Sequence, residues 1–207
     1  MSSVDTNAEL PLFPLKTVLF PGGLLGLKVF EARYVDLISL CLRERRSFGV
    51  VALRSGREVG KAEDGVHFEA TGTLAELIDV DSERPGILNV RCRGTQRFLV
   101  TASRQQNDGL WLAQTQPVAD DALLAPSPGL AEAVRGLAST IAALKNAGKG
   151  EQFLPPHHFD QAGWVANRWC EILPISLAAR QKLMEFTDPM VRLQLVDDFL
   201  RSRGVVK

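Results

Sequence analysis

The sequence predicts an α+β protein: a six-stranded antiparallel barrel or sandwich carrying one inserted helix, followed by a C-terminal helical bundle. Three observations lead there. Short apolar or alternating runs separated by Gly-containing turns fill the chain as far as Val118. One segment among them, around residues 30–46, switches to a helical period. The composition then changes at PVADDALLAPSPG (117–129), and every later segment reads as helix. These breaks divide the chain into a β-rich part, 10–118, and a helical part, 128–203.

The first nine residues are polar and are expected to fray. LPLFPLKTVLFPGGLLGLKVF (10–30) is extended, but Pro11, Pro14 and Pro21 cannot donate to a ladder, so its strands are short, bent or at an edge. Gly22-Gly23 supplies a turn. Next, Tyr34, Leu37, Ile38, Cys41 and Leu42 recur at helical spacing, and Arg43, Arg45 and Arg46 gather where a helix dipole favours cations. SFGVVAL (47–53) reads as a buried strand. HFEATGTLAELIDV (67–80) reads as a long strand with an irregularity near Gly72. GILNVRCRGTQRFLVTAS (86–103) reads as two strands folded back at Gly94-Thr95, and LWLAQTQPV (110–118) as a last one.

In the helical part, Ser127 and Pro128 open a stripe of Leu130, Val134, Leu137, Ile141 and Leu144, which ends near Gly148. GKGEQFLPPHHF (148–159) is a loop. Asp160 is placed to cap a helix carrying Trp164, Val165, Trp169 and Ile172. Ser176 caps the next, and Asp188-Pro189 opens the last, with Met190, Leu193, Val196, Phe199 and Leu200.

Composition narrows the function classes. The 207 residues carry 24 basic and 24 acidic side chains, divided evenly at 14 and 14 in residues 1–116 and 10 and 10 beyond. A neutral chain gives no bulk attraction to nucleic acid or anionic membrane. Three scattered cysteines make no disulfide framework, the N-terminus is unlike a signal peptide, and no run is long and apolar enough to span a bilayer. The expected compartment is the reduced cytoplasm.

Catalytic and metal-binding patterns are not found. No G-x-x-x-x-G-K-[ST] loop, G-x-S-x-G elbow, C-x-x-C or H-E-x-x-H occurs. Ser55 sits in a polar turn, His157 and His158 in a loop after two prolines, and each cysteine reads as apolar filler. No catalytic, cofactor or metal residue is therefore assigned. The arginines offer one alternative. Arg91 and Arg93 share a strand face, with Arg84 before it and Arg97 after it, as an RNA or anion patch would require. The plainer reading pairs them across strands with Glu69, Glu76 or Asp79.

The runs LPLFPLKTVLFPG (10–22), VFEARY (29–34), FGVV (48–51), GTLAELIDV (72–80) and RGTQRF (93–98), in that order and spacing, resemble the N-terminal substrate-binding domain of Lon-type ATP-dependent proteases. LPISLAARQKLMEFTDPMVRLQLV (173–196) is similar to the helical part that follows in that family. The resemblance runs from about Leu10 to Leu200. It implies a PUA-like pseudo-barrel of six strands followed by a small bundle, and a role in recognising protein substrates. The chain departs from the whole enzyme in having no ATPase module and no proteolytic Ser-Lys module. Ala32 stands where the family commonly has proline, and Gly26 in place of another.

The expected function is therefore non-enzymatic recognition of unfolded or extended protein segments, or of a specific protein partner, without a cofactor. The expected surface is the cleft between sheet and helices or an exposed strand edge. Phe20, Pro21 and Trp164 are the expected contacts. The alternative is RNA or anionic-ligand binding through Arg84, Arg91, Arg93 and Arg97. Arg33 is expected to meet a carboxylate or strand-end carbonyls. Phe13, Phe20, Phe30 and Tyr34 are expected to serve as core and helix anchor.

Overall fold

The computed structural model describes residues 9–56 and 65–206. The expected fraying of the N-terminus falls almost wholly outside these residues. The chain divides into two compact units: the described residues up to Leu19 with Leu25–Val118, and Phe20–Leu24 with Ala119 onwards.

The first unit holds strands β1 (Leu10–Leu15), β2 (Leu24–Val29), β3 (Phe48–Ser55), β4 (His67–Arg84), β5 (Ile87–Gln105) and β6 (Trp111–Pro117), with helix α1 (Ala32–Glu44) between β2 and β3. The sheet order is β2-β5-β4-β3-β1-β6, and a further β5–β6 pairing joins the end of that series back to β5. Five strands thus form a closed ring of hydrogen-bonded neighbours, with β2 attached to β5. Closure removes most of the exposed edge that an open sheet leaves.

Two expectations need correction. The sheet is not wholly antiparallel, because β1 and β3 run parallel, with Leu12 opposite Gly49 and Leu15 opposite Ala52. The intervening β2 and α1 make the crossover that a parallel pair requires. Gly94-Thr95 is not a turn between two strands either. β5 runs through it for 19 residues. Thr73 lies opposite Arg97 and Ala75 opposite Gly94, so Thr95 and Gln96 together face Leu74 alone. The feature is a bulge, and Thr95 Oγ1 donates to the Leu74 carbonyl at 3.3 Å.

The helix pattern explains the core. Tyr34, Leu37, Ile38 and Cys41 are the buried face of α1, while Leu42 is exposed. Tyr34 stacks on Phe13 with ring centroids 3.8 Å apart, in a cluster that includes Phe48, Val50, Val90 and Cys92. Phe30 does not join it. More than half of its surface is exposed (53%), so it is no anchor. Arg33 makes both expected kinds of contact, donating from Nη2 to Glu31 (2.8 Å) and from Nη1 to the Gly109 carbonyl (2.9 Å).

The second unit contains α2 (Ala131–Asn146), α3 (Ala162–Ile172), α4 (Leu177–Glu185) and α5 (Pro189–Ser202). Caps mark the last two as expected: Ser176 Oγ accepts from Ala179 N–H, and Asp188 Oδ1 accepts from Met190 and Val191 N–H. The cap expected of Asp160 is not seen, since α3 starts after Gln161. Leu130, Leu137 and Ile141 are buried from the α2 stripe, and Trp169 Nε1–H donates to the Ala133 carbonyl at 2.9 Å.

Arg192 is the polar centre of this unit. It donates to the carboxylate of Asp121, the side-chain oxygen of Asn167 and the carbonyls of Leu183 and Phe186. Meeting its donors in this way offsets the cost of burying a guanidinium. Gly163 makes room for the arrangement, because a Cβ there would lie 2.4 Å from Asp121 Oδ2.

Candidate functional site

Pro21 and Trp164 fall in the same unit, joined through Arg168. Trp164 sits on the first turns of α3, and Arg168 follows it by four residues, on the same helix face. The Arg168 guanidinium lies 5.7 Å from the Trp164 ring centroid. Its Nη2 donates to the Pro21 carbonyl at 2.9 Å and to Glu171 Oε1 at 2.8 Å. The chain from Phe20 to Gly23 is a tight turn, closed by Gly23 N–H donating to the Phe20 carbonyl at 2.9 Å.

Both glycines of that turn are required by proximity. At Gly22, where φ is +74°, a Cβ would lie 3.0 Å from Arg168 Nη1. At Gly23 it would lie 2.2 Å from Glu171 Oε1. The turn therefore packs directly on the charged pair, and a side chain at either position would force the turn or the pair to shift.

Around Trp164 the rings of His157, His158 and Phe159 gather, with centroids 5.7, 6.3 and 5.2 Å from the indole. All four rings retain solvent exposure, and Pro155 and Pro156 beside them are exposed. Pro21 is half-buried, so it remains reachable. Phe20 is not. It has no exposed surface (0%), which makes it a core residue and removes it as a direct contact. The aromatic gathering in HHF (157–159) was missed by sequence reasoning. Its signal was the density of rings and prolines in PPHHF, which was read only as a loop.

The electrostatics of the site centre on Glu171. Burial pushes its carboxyl up to about 7, against the lowering effects of the Arg168 and Arg180 charges and the Arg168 hydrogen bond. The ion pair is thus held at the margin of ionisation near neutral pH. The neighbouring Cys170 thiol is likewise pushed up to about 12 by burial.

The sheet arginines are dispersed. Arg93 donates to Glu76 at 3.2 Å, and Arg91 lies opposite Asp79. Arg84 is exposed at the outer end of β4. Arg97 is buried (2% exposed), so it cannot present its guanidinium to a ligand on the surface. The remaining carboxylate of the cross-strand reading, Glu69, faces Arg54 at 3.6 Å. Among the described residues no group of three His, Cys, Asp or Glu is arranged to hold a metal ion. No described helix is long and apolar enough to cross a membrane.

A closed mixed β ring with one crossover helix, joined in sequence to a helical unit, makes the chain an α+β protein. The chain belongs to the family of the ATP-dependent protease La (LON) substrate-binding domain, whose model matches residues 9–202. It resembles the crystal structure of a Lon N-terminal domain protein from Xanthomonas campestris with a TM-score of 0.72 and 34% identity, over 91% of this chain and 96% of that one. It is 26% identical to the Lon protease of Xanthomonas oryzae pv. oryzae over 195 residues, 91% of this chain and 22% of that protein. It is 32% identical to protein cereblon of Gallus gallus over 116 residues, 54% of this chain and 24% of that protein. The chain thus spans about a quarter of the length of these curated relatives.

Proposed function

We propose that the protein is a non-catalytic recognition module that binds extended, apolar segments of other polypeptides at the surface formed by Trp164, Phe159, His157 and Pro21. Membership in a substrate-binding family supports the class of function. The observation that carries the location is the gathering of three rings around Trp164, all four partly exposed, beside a half-buried proline. Aromatic rings and prolines supply contact area at small cost in side-chain entropy, which suits an extended ligand. Three buried, free thiols agree with work in a reducing cytoplasm.

The sheet arginines favour no second reading, because Arg93 already has a carboxylate partner and Arg97 is buried. The test is a peptide array of diverse extended sequences, followed by titration of the best binders. Apolar and aromatic peptides are expected to bind in the micromolar range, and Trp164→Ala to weaken them about ten-fold or more. Absence of binding across the array, or binding unaffected at Trp164, overturns the assignment.

A further inference from the structure

We infer that His157 and His158 make the Trp164 surface a pH-dependent selector, which takes uncharged apolar segments in mildly alkaline solution and turns towards segments carrying a carboxylate as the solution becomes mildly acidic. This rests on the reading of the Trp164 surface given above. Two of the three rings that gather on the indole are imidazoles, with centroids 5.7 and 6.3 Å away. His157 is exposed and His158 half-buried, so a ligand lying on the indole also meets imidazole. Imidazole is the side chain whose charge ordinarily changes between about pH 5 and 8, and either of its nitrogens can hold the proton.

The hydrogen bonds fix what each proton does. His157 Nε2 lies 3.4 Å from the Phe153 carbonyl, which can only accept, so that nitrogen carries the proton of the neutral ring. Nδ1 is then the atom that gains a proton as pH falls, and it turns from an acceptor into a charged donor. His158 Nδ1 lies 3.5 Å from Gln161 Nε2, which can only donate. A proton on that Nδ1 meets another donor, and the Gln161 amide must turn.

The charges facing the imidazoles change in the same direction. Arg168, on α3, lies 5.7 Å from the indole centroid, and its partner Glu171 offsets it. Burial pushes the Glu171 carboxyl up to about 7, against the lowering effects of Arg168 and Arg180. Glu171 therefore loses its charge over the range in which imidazole gains one. The Pro21–Gly23 turn carries no titratable side chain. Glu151 and Asp160, in the stretch of chain that bears the imidazoles, are exposed and screened by solvent. Acidification thus adds positive charge to the surface and leaves its apolar area in place. An uncharged ligand must then desolvate cations for no return, whereas a ligand carboxylate meets an opposite charge at the exposed His157.

The experiment uses the full chain and two acetylated, amidated hexapeptides of alternating Val and Thr ending in Phe, one with Asp in place of the penultimate residue. Affinity is read by calorimetry at pH 8 and pH 5.5 at one ionic strength. Imidazole resonances are followed by NMR, with His67 on β4 as the internal control. From pH 8 to pH 5.5 the Asp peptide is expected to gain about ten-fold or more over the neutral one. Saturation with the Asp peptide is expected to raise the titration midpoints of His157 and His158 and not that of His67. The double variant His157→Phe, His158→Phe keeps the rings without their protons, and is expected to lose most of the gain. Both measurements on the unaltered protein decide the matter even if that variant fails to fold. A peptide preference equal at the two pH values, midpoints unmoved by the Asp peptide, or a gain that survives in the folded double variant overturns the inference and leaves the recognition function in place. Binding of neither peptide at either pH overturns both.

Discussion

Arg192 and Asp121 face each other through two parallel hydrogen bonds, Nη1 to Oδ2 at 2.6 Å and Nη2 to Oδ1 at 2.9 Å, although 71 residues separate them. Arg192 is 1% exposed at its side chain. Removing Asp121 leaves an enclosed cation short of its counter-ion. Asp121→Ala is expected to cost about 3–5 kcal/mol, read by urea unfolding followed by circular dichroism. Gly163→Ala is expected to reproduce part of that loss by pushing the carboxylate aside. A cost below about 1 kcal/mol for Asp121→Ala would show that the pair is dispensable.

The Glu171 carboxyl makes stability depend on pH in an unusual direction for an acid. Its folded value, about 7, lies above the ordinary 4.5. The folded state therefore holds a proton that the unfolded chain has released between those values. That contribution is complete below pH 4.5 and is lost as pH rises through 7, and it amounts to at most roughly 3 kcal/mol. Glu171→Gln is expected to flatten thermal stability over this window and to exceed the parent at pH 8. A variant less stable than the parent at pH 8 would show that the Arg168 pairing outweighs burial.

The thiols are expected to be inert in the folded protein. Burial pushes Cys41 up to about 11 and Cys92 and Cys170 up to about 12, so little thiolate exists at pH 8. A chromogenic disulfide reagent should label none of the three before unfolding and all three in denaturant. Rapid labelling of any one under native conditions contradicts the packing described.

Phe20 and Trp164 separate stability from recognition. Phe20 is wholly enclosed, and Phe20→Ala should cost about 3–5 kcal/mol in unfolding experiments. Trp164 keeps solvent exposure, so Trp164→Ala should cost less in stability while carrying the larger loss in peptide affinity. Reversal of that order would move the binding surface elsewhere.

Much of this was legible in the chain. The α1 face, the caps at Ser176 and Asp188, and the run of six strands follow from local period and local hydrogen-bonding chemistry, which a single sequence displays directly. The parallel pairing of β1 with β3 was not legible, because strand direction depends on how β2 and α1 cross over. Gly94-Thr95 looks alike as a turn or as a bulge; only the register against Leu74 decides. Of the proposed site, Pro21 and Trp164 were named as candidate contacts from the sequence, and the rings of residues 157–159 beside Trp164 were not. Arg168 was missed, since an arginine within a helix reads as solvated until its side chain is seen turned inward beneath a turn almost 150 residues earlier. Phe20 was misjudged for the converse reason, as aromatic character alone does not distinguish a contact from a filler.

The turn at Phe20–Leu24 also bears on how the protein can be dissected. The composition break after Pro117 invites a cut there, yet the compact helical unit includes five residues that precede it by about a hundred positions. A fragment beginning at Ala119 would carry Arg168 and Glu171 without the Pro21 carbonyl and the glycines that cover them. It would present a charged pair to solvent that the intact chain encloses, and peptide affinities measured on it would describe an artefact of the cut. The break visible in the sequence is therefore a poor place to divide the chain, and a faithful miniature would have to tether residues 20–24 to the helices.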